Sequence, residues 1–451
     1  MKILFILPEY LPDSGGGIIS YYGGTLPHLV EAGHEIHVLV VQGNRLDLPD
    51  CEIGGVRVRY LKSEFLQKAL PGYRRYHLSF PTLWAFLPFA WAACEQMRRG
   101  EGFDLVETTD FSLLFAPWLV TADVPAVNIS LHGSCGQLDW HECPKTWSLN
   151  ADVVRLVERA AFSSACGIQA NSNGNAQFWR KISHRDVRVL LPAFSCSDQP
   201  AVTLRESKTG IVAGRLQIWK GPQVLCRALE ELPEVRVFWY GNDTICQEGG
   251  LPMSKVLEKQ YPKIFGSRLI HQKGVPHDQM LQKIAEASFL CVPSTWDVFN
   301  LTVVEAMSLG TPVVCSREAG ASMLIEHGQN GFLFDPAHPA ELAECIRRMM
   351  SLTETERTNI VAKARATVEQ MLAPSRLCAE RLDYYQSLAT GSRRNLDDPW
   401  LQAVLAPRLE NGRLETLRAF TTKELVAATR RNIVAGIKRR LSSGRGDRTE
   451  G

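Results

Sequence analysis

Short apolar runs that end in glycine, proline or a polar cluster recur along the chain, separated by stretches whose apolar positions fall three and four apart. In the first half KILFILP reads as a buried strand, residues 20–32 as a helix stopped at Gly33, and EIHVLVV, DLVETT and AVNISLHG as further strands, with GIQANS a fifth. The alternation restarts at Gly210 with GIVAGRL and runs through RVFWYG, RLIHQKG, FLCVPS and PVVCS. Strands alternating with helices make parallel sheets covered by helices, so the pattern predicts an α/β protein of two similar doubly wound halves. The polar stretch at 192–209 has two prolines and no helical period, and is the expected hinge. Ligands of open α/β sheets bind beyond the carboxyl ends of the strands, which for two facing halves means one shared cleft.

Composition narrows this picture without redirecting it. With 451 residues, 45% hydrophobic and 22% charged, the chain is too long for one core and too apolar for disorder. Its 50 Lys and Arg against 48 Asp and Glu leave +2, no field for a polyanion, and no nucleic acid partner is expected. The 12 cysteines form no C-x-x-C pair and no Cys/His cluster at zinc spacing, as expected of reduced thiols in a cytosolic protein. The apolar run at residues 3–7 is too short for a signal peptide. The uncharged stretch 76–94 holds His77, Pro81 and Pro88, so burial is expected there rather than a membrane span.

Four segments carry candidate chemistry. SGGGI at 14–18 lies between the first strand and a helix, where glycines permit positive φ and a helix N-terminus offers N–H groups to an anion; a plain tight turn explains it equally well. His132 stands where a strand runs out into Gly133, a position suited to touching a ligand. In GRLQIWKG, at 214–221, Arg215 and Lys220 converge from a loop and the next helix's start onto one phosphate group, since cations at a helix's positive end are misplaced unless an anion joins them. In PSTWDVFNLTVVEAMSLGTPVVCS, at 293–316, Asp297 and Glu305 flank a Phe299-Asn300-Leu301 turn and are placed to hold two hydroxyl-rich pieces of one ligand.

Together these segments resemble the retaining nucleotide-sugar glycosyltransferases of family 4, also called glycosyltransferase group 1, whose GT-B fold sets two Rossmann-like domains face to face. The likeness spans about residues 1–385 and is most specific from Pro293 to Val314. It implies a hexosyltransferase-like enzyme with an acceptor-side domain at 1–200, a nucleotide-sugar-binding domain at 201–372, a helix at 373–390 crossing back to the first domain, and a basic helical tail at 391–451. Gly16 and Gly17 match the family's paired glycines near the donor diphosphate, and His132 matches a histidine near the transferred sugar. Arg215 and Lys220 match its diphosphate-binding pair, Asp297 the acid that contacts the donor sugar, and Glu305 the acid that holds the ribose. Backbone N–H groups around Phe299, Asn300 and Leu301 would reach the diphosphate, and Val275 the base edge.

By that resemblance no metal and no cofactor is expected, only a nucleotide-sugar co-substrate such as a UDP- or GDP-sugar, and the chain has no D-x-D sequence. The expected acceptor is a glycan or lipid-linked glycan of envelope polysaccharide assembly, touched by loops at 73–80 and 135–147. Three departures from the family pattern stand out: Asp297 where Glu is usual, Asn300 where Gly is, and Met323 where Glu is common. They motivate one rival reading, a degenerate sugar-nucleotide-binding partner protein; a nucleotide-sugar epimerase on the same fold is another. Residues 391–451 carry 13 Lys or Arg against 7 Asp or Glu, and residues 422–441 suit a basic amphipathic helix, fit either for an anionic membrane surface at the inner face or for a solvated one.

Overall fold

The computed structural model describes residues 1–13, 16–98, 102–142, 148–196, 208–246, 250–391 and 398–408, with four isolated positions between 422 and 430. The first sheet contains β1 (Lys2–Leu7), β2 (Glu35–Val40), β3 (Cys51–Ile53), β4 (Val56–Tyr60), β5 (Leu105–Thr109), β6 (Ala126–Leu131), β7 (Gly167–Ala170) and β8 (Arg188–Val189). Their order is β3-β4-β2-β1-β5-β6-β7-β8, parallel throughout except for the β3/β4 pair. The second sheet adds β9 (Thr209–Ala213) and β10 (Arg236–Tyr240); β11 (Ile245–Cys246) and β12 (Leu251–Pro252) form a separate small ribbon. With β13 (Leu269–Gln272), β14 (Phe289–Val292), β15 (Val313–Ser316) and β16 (Phe332–Phe334), the second sheet runs β13-β10-β9-β14-β15-β16, all parallel. These are the two Rossmann-like halves expected. The interior strands are buried on both faces, every residue of β5, β6 and β14 among them, and β5 and β6 bury the polar side chains of Glu107, Thr108, Thr109, Asn128 and Ser130 there as well.

The expected single helix at 20–32 is two, Gly17–Gly23 and Leu26–Glu31. Pro27 has no N–H to continue a helix and so opens a new one, while Thr25 turns its hydroxyl back to the Tyr21 carbonyl at 2.7 Å. The uncharged stretch forms the helix Pro81–Met97, which buries Leu83, Leu87, Ala90 and Cys94 in the first half. No helix among the described residues is long and apolar enough to cross a membrane.

The helix Pro374–Thr390 does cross back, packing on β5 and β6 and setting Cys378, Leu382 and Tyr385 into the core beneath β1. The basic-tail assignment for 391–451 needs correcting at Pro399–Leu405, an apolar helix capped by Asp398 that buries Leu401, Val404 and Leu405 in the first half. It also takes over part of the stretch expected to touch an acceptor. Tyr73 and Tyr76 are buried and donate their hydroxyls, each at 2.7 Å, to the carbonyls of Leu405 and Val404. The proposed basic helix at 422–441 lies outside the described residues except for isolated positions.

Candidate active site between the two halves

In the second half the site begins with a close approach of backbones. Gly221 follows the short turn Ile218–Lys220 with φ 76°, and a Cβ there would stand 1.8 Å from the Pro293 carbonyl oxygen. Only glycine lets the turn press against the end of β14, and that contact brings Lys220 to the loop after the strand. Its Nζ meets Asp297 Oδ2 at 2.6 Å, with both side chains largely buried. Asn300 Nδ2 donates to the same oxygen at 2.8 Å and Ser294 Oγ at 3.4 Å, while Oδ1 takes no hydrogen bond from a described residue. Asn300 has φ 78°, the left-handed conformation that a glycine would adopt at no cost. It precedes the helix Leu301–Ser308, whose first turn carries no acid and no side-chain cap; the Val303 N–H turns to the Asn300 carbonyl at 3.3 Å, and the N–H groups of Leu301 and Thr302 stay open to an anion.

Glu305 lies on that helix, buried, and its Oε1 meets His277 Nε2 at 2.9 Å. The bond to Glu305 raises the His277 imidazole above its ordinary value, against partial burial. Val275, two residues earlier, lies at the carboxyl end of β13, half-buried on the second core. Phe299 is buried, and Leu301 covers both the second core and the first-half core beneath Tyr21. Met323 is partly buried against the second core.

Arg215 is exposed and makes no hydrogen bond or ion pair with a described residue. It faces the first half: burial raises the carboxyls of Glu9 and Glu142, and the Arg215 charge works against that rise in both. The cation of the second half thus looks across the gap at two acids of the first. Glu9 also settles what Gly16 does. A Cβ on Gly16, φ 125°, would lie 2.3 Å from Glu9 Oε1, and the Ile19 N–H draws the Glu9 carboxyl down against the rise that burial causes. The start of the helix Gly17–Gly23 therefore already has a carboxylate of its own, and Gly16 is required to admit it. Gly17 has nothing within 4 Å of a Cβ. Ser14 and Gly15 lie outside the described residues.

His132 ends β6 on the facing wall. Its N–H and that of Gly133 donate to Asp110 at 2.7 and 3.2 Å, and its ring meets Ser130 Oγ at Nε2 (3.0 Å) and the Asn171 amide at Nδ1 (3.3 Å). Burial, and then the charge of Arg381, push this imidazole down to about 3, so it is neutral at any working pH. The halves touch beside it. Ser172 Oγ donates to the Val298 carbonyl at 2.7 Å, and a Cβ on Gly133 (φ 109°) would stand 3.4 Å from Val298. The expected loop at 135–147 is, as far as Glu142, the helix Cys135–Glu142, and residues 143–147 lie outside the described residues. Its His141 stacks on Trp296 of the second half, ring centroids 4.2 Å apart and 6° from parallel.

The structure thus brings Lys220, Asp297 and Asn300 into one hydrogen-bonded group, with Glu305 bonded to His277, Arg215 turned to the gap and His132 on the opposite wall. Glu9 and His277 were missed in the sequence, although each has a readable signal. Glu9 follows the carboxyl end of β1, and His277 lies two residues beyond the Val275 already singled out. Among the described residues no group of three or more His, Cys, Asp or Glu is arranged to hold a metal ion.

Two facing doubly wound domains with a cleft between them are the GT-B fold, and the family matches supply the class. Residues 198–367 match the family described as glycosyl transferases group 1, and residues 16–192 match a glycosyl transferase 4-like domain. The chain belongs to the group 1 glycosyltransferases and is a transferase. An uncharacterized glycosyltransferase of Methanocaldococcus jannaschii is 25% identical over 422 residues, 86% of this chain and 98% of that one. The D-inositol 3-phosphate glycosyltransferase of Paenarthrobacter aurescens is 27% identical over 210 residues, 46% of this chain and 50% of its own length. Among solved structures, sucrose-phosphate synthase from Thermosynechococcus elongatus aligns with a TM-score of 0.67 at 17% identity, over 87% of this chain and 100% of that one. Anabaena HepE in complex with UDP-glucose aligns at 0.61 and 20% identity, over 85% of this chain and 100% of that one. At these identities the solved structures speak for the fold.

Proposed function

We propose that the chain transfers a hexosyl group from a nucleoside diphosphate sugar to a glycan or lipid-linked glycan acceptor, with retention at the anomeric carbon and without a metal ion. The observation that carries this reading is the Lys220–Asp297 contact of 2.6 Å, made in the cleft at the head of a helix with open N–H groups. An anion entering there finds Lys220, Arg215 and the N–H groups around Phe299, Asn300 and Leu301. Asp297 and Glu305 are left for the hydroxyls of the donor sugar and the ribose. Preorganised donors aimed at the diphosphate stabilise the charge that develops as it leaves, the largest single contribution available in such a site. The acceptor hydroxyl attacks on the face from which the diphosphate departs; the bond from the anomeric carbon to the phosphate oxygen breaks, and the hydroxyl proton passes to that oxygen.

His132, neutral and with both ring nitrogens engaged, lines the sugar's side of the cleft without exchanging a proton. Gly17 leaves the approach from the first half open, Gly16 admits the Glu9 carboxylate beside it, and Val275 lies beside the base. The carboxylates act by positioning substrate, so no glycosidase-like pair is needed. Similarity to relatives named as glycosyltransferases, including those acting on D-inositol 3-phosphate, supports the transfer reaction. A HepE structure that holds UDP-glucose in the same fold supports a nucleotide-sugar donor.

Incubation with UDP- and GDP-hexoses in EDTA, with products followed by NMR, tests the reading. Transfer or slow donor hydrolysis with the anomeric configuration kept, abolished in Lys220→Ala, is expected. Full activity in that variant, an inverted product or an absolute need for added metal would overturn it.

A further inference from the structure

We propose that Gln169 and Ser130 fix His132 as the neutral tautomer with its proton on Nδ1, and that Arg381, on the helix that crosses back from the second half, is a positioning residue for that imidazole. The inference rests on the functional reading only in placing His132 beside the transferred sugar.

The argument starts at Glu107, fully buried in β5. Such a carboxylate needs donors on every side, and it has four: Tyr22 Oη at 2.7 Å, Asn128 Nδ2 at 2.8 Å, Gln169 Nε2 at 3.1 Å and the Tyr385 hydroxyl. Because Glu107 only accepts, the Gln169 group that faces it is the NH2, and its second hydrogen goes to Ser130 Oγ at 3.0 Å. Ser130 therefore accepts from Gln169 and has its own hydrogen to give, and His132 Nε2 stands 3.0 Å away. A nitrogen that accepts there is bare, which leaves the proton of a neutral ring on Nδ1. Asn171 Nδ2 lies 3.3 Å from Nδ1, while Asn171 Oδ1 is a buried oxygen without a hydrogen-bond partner. With the amide turned over, Oδ1 accepts Nδ1–H and the NH2 takes the position that Oδ1 held.

Arg381 reaches the same ring from the other side. It is fully buried and donates to the Tyr21 hydroxyl and, at 3.2 Å, to the Tyr385 hydroxyl, which in turn donates to Glu107. The Tyr21 ring meets the His132 ring edge-on, centroids 4.7 Å apart at 82°, and Tyr22 lies 5.3 Å away. The groups facing His132 are thus Ser130, Asn171, Tyr21, Tyr22, the Asp110 carboxylate beneath its N–H, and the Arg381 charge beyond Tyr21. One arginine holds both the tyrosine that packs on the imidazole and the tyrosine that completes the Glu107 cluster, so a helix that follows the donor-binding half sets the geometry of the opposite wall.

The test is nitrogen NMR on the full chain labelled with 15N-histidine, the His132 signals being assigned by their loss in His132→Phe. Wild type is expected to show a bare Nε2 and a protonated Nδ1, unchanged from about pH 5.5 to 8.5. Ser130→Ala should shift the pattern toward a tautomer mixture. Arg381→Met should lower kcat about tenfold with donor KM within about twofold, and Arg381→Lys should restore most of it. A protonated Nε2 in wild type, titration near pH 6.5, or an unaltered pattern in Ser130→Ala overturns the tautomer assignment; wild-type kcat in Arg381→Met overturns the role of Arg381. If Arg381→Met does not fold, Tyr21→Phe, which removes only the hydroxyl that Arg381 holds, replaces it: lowered kcat with donor KM within about twofold and wild-type Tm supports that role, and wild-type kcat or a loss that only follows a fallen Tm overturns it. Calorimetric binding of UDP and GDP to the same samples separates failure of this inference from failure of the functional reading.

Discussion

In the second half the polar groups of the site come from two short segments and open onto the cleft: Lys220 on one turn, and Asp297, Asn300 and Glu305 within a single loop and helix. In the first half they come from five separate segments, Tyr21, Glu107, Ser130 with His132, Gln169 and Arg381, and lie largely beneath the cleft surface. On the proposed function the contrast follows from what each wall has to do. A wall that grips a mobile anion needs open donors on short, stiff turns. A wall that presents a neutral, correctly oriented ring needs every polar atom behind it satisfied, because an unpaired buried group costs more than the bond it forgoes.

Three experiments sharpen or break that contrast. The largest effect on stability is expected from Gly221→Ala, where φ 76° and a Cβ 1.8 Å from the Pro293 oxygen combine. A loss of more than about 3 kcal/mol in urea unfolding should result. Gly17→Ala, with open space around its Cβ, should change stability by less than about 0.5 kcal/mol. Equal losses at the two glycines would mean that the tight approach in the second half is not what seats Lys220.

Next comes Glu158→Gln in the first half. Ser134 Oγ and the Gly136 N–H bond its carboxyl at 2.8 and 3.0 Å, and burial pushes it up to about 8, as it pushes Asp110 up to about 7. A carboxyl with a raised folded value binds a proton that the unfolded chain has released, so stability falls as pH rises from the ordinary 4.5 toward 8. Glutamine mimics the protonated form. Its variant should match wild type near pH 5 and exceed it by about 2 kcal/mol at pH 9, read from denaturant unfolding at both values. A gap that does not grow with pH contradicts the picture.

The smallest effect is expected at His277→Gln, on the open wall. The folded imidazole is raised by Glu305, so its contribution is complete below the ordinary histidine value near 6.5 and is lost as pH rises through the raised one. Because His277 is half exposed, a Tm deficit of about 1 °C below pH 6, vanishing at higher pH, is the expected signature in differential scanning calorimetry. A deficit that persists unchanged to pH 9 would show that His277 acts other than through its charge.

The same contrast explains what could be read in advance. The alternation of apolar runs and helices is local, so both sheets, the return helix and the loop-and-helix segment at 293–316 were legible. The contact of Lys220 with Asp297 was not, because Lys220 was read with Arg215 as a phosphate pair and Asp297 as a sugar contact, and only the family resemblance set the two segments in one site. The buried array behind His132 was not legible, since Glu107, Gln169 and Arg381 stand in separate segments and none of them has a motif. The carboxylate that fills the space over Gly16 was hidden for a related reason: a glycine run reads the same whether it admits a phosphate or Glu9. The apolar helix Pro399–Leu405 was lost in the average of a longer basic stretch, and the broken helix at 20–32 required weighing Pro27 above the periodicity around it.

The central claim is that a lysine and an arginine of the second half grip a diphosphate. The most direct measurement is calorimetric titration of wild type, Lys220→Ala and Arg215→Ala with UDP, GDP and the corresponding nucleosides. Loss of a charge-assisted bond of about 2 kcal/mol predicts about thirtyfold weaker diphosphate binding in each variant and unchanged nucleoside binding. Diphosphate affinities equal to wild type in both variants would contradict the account.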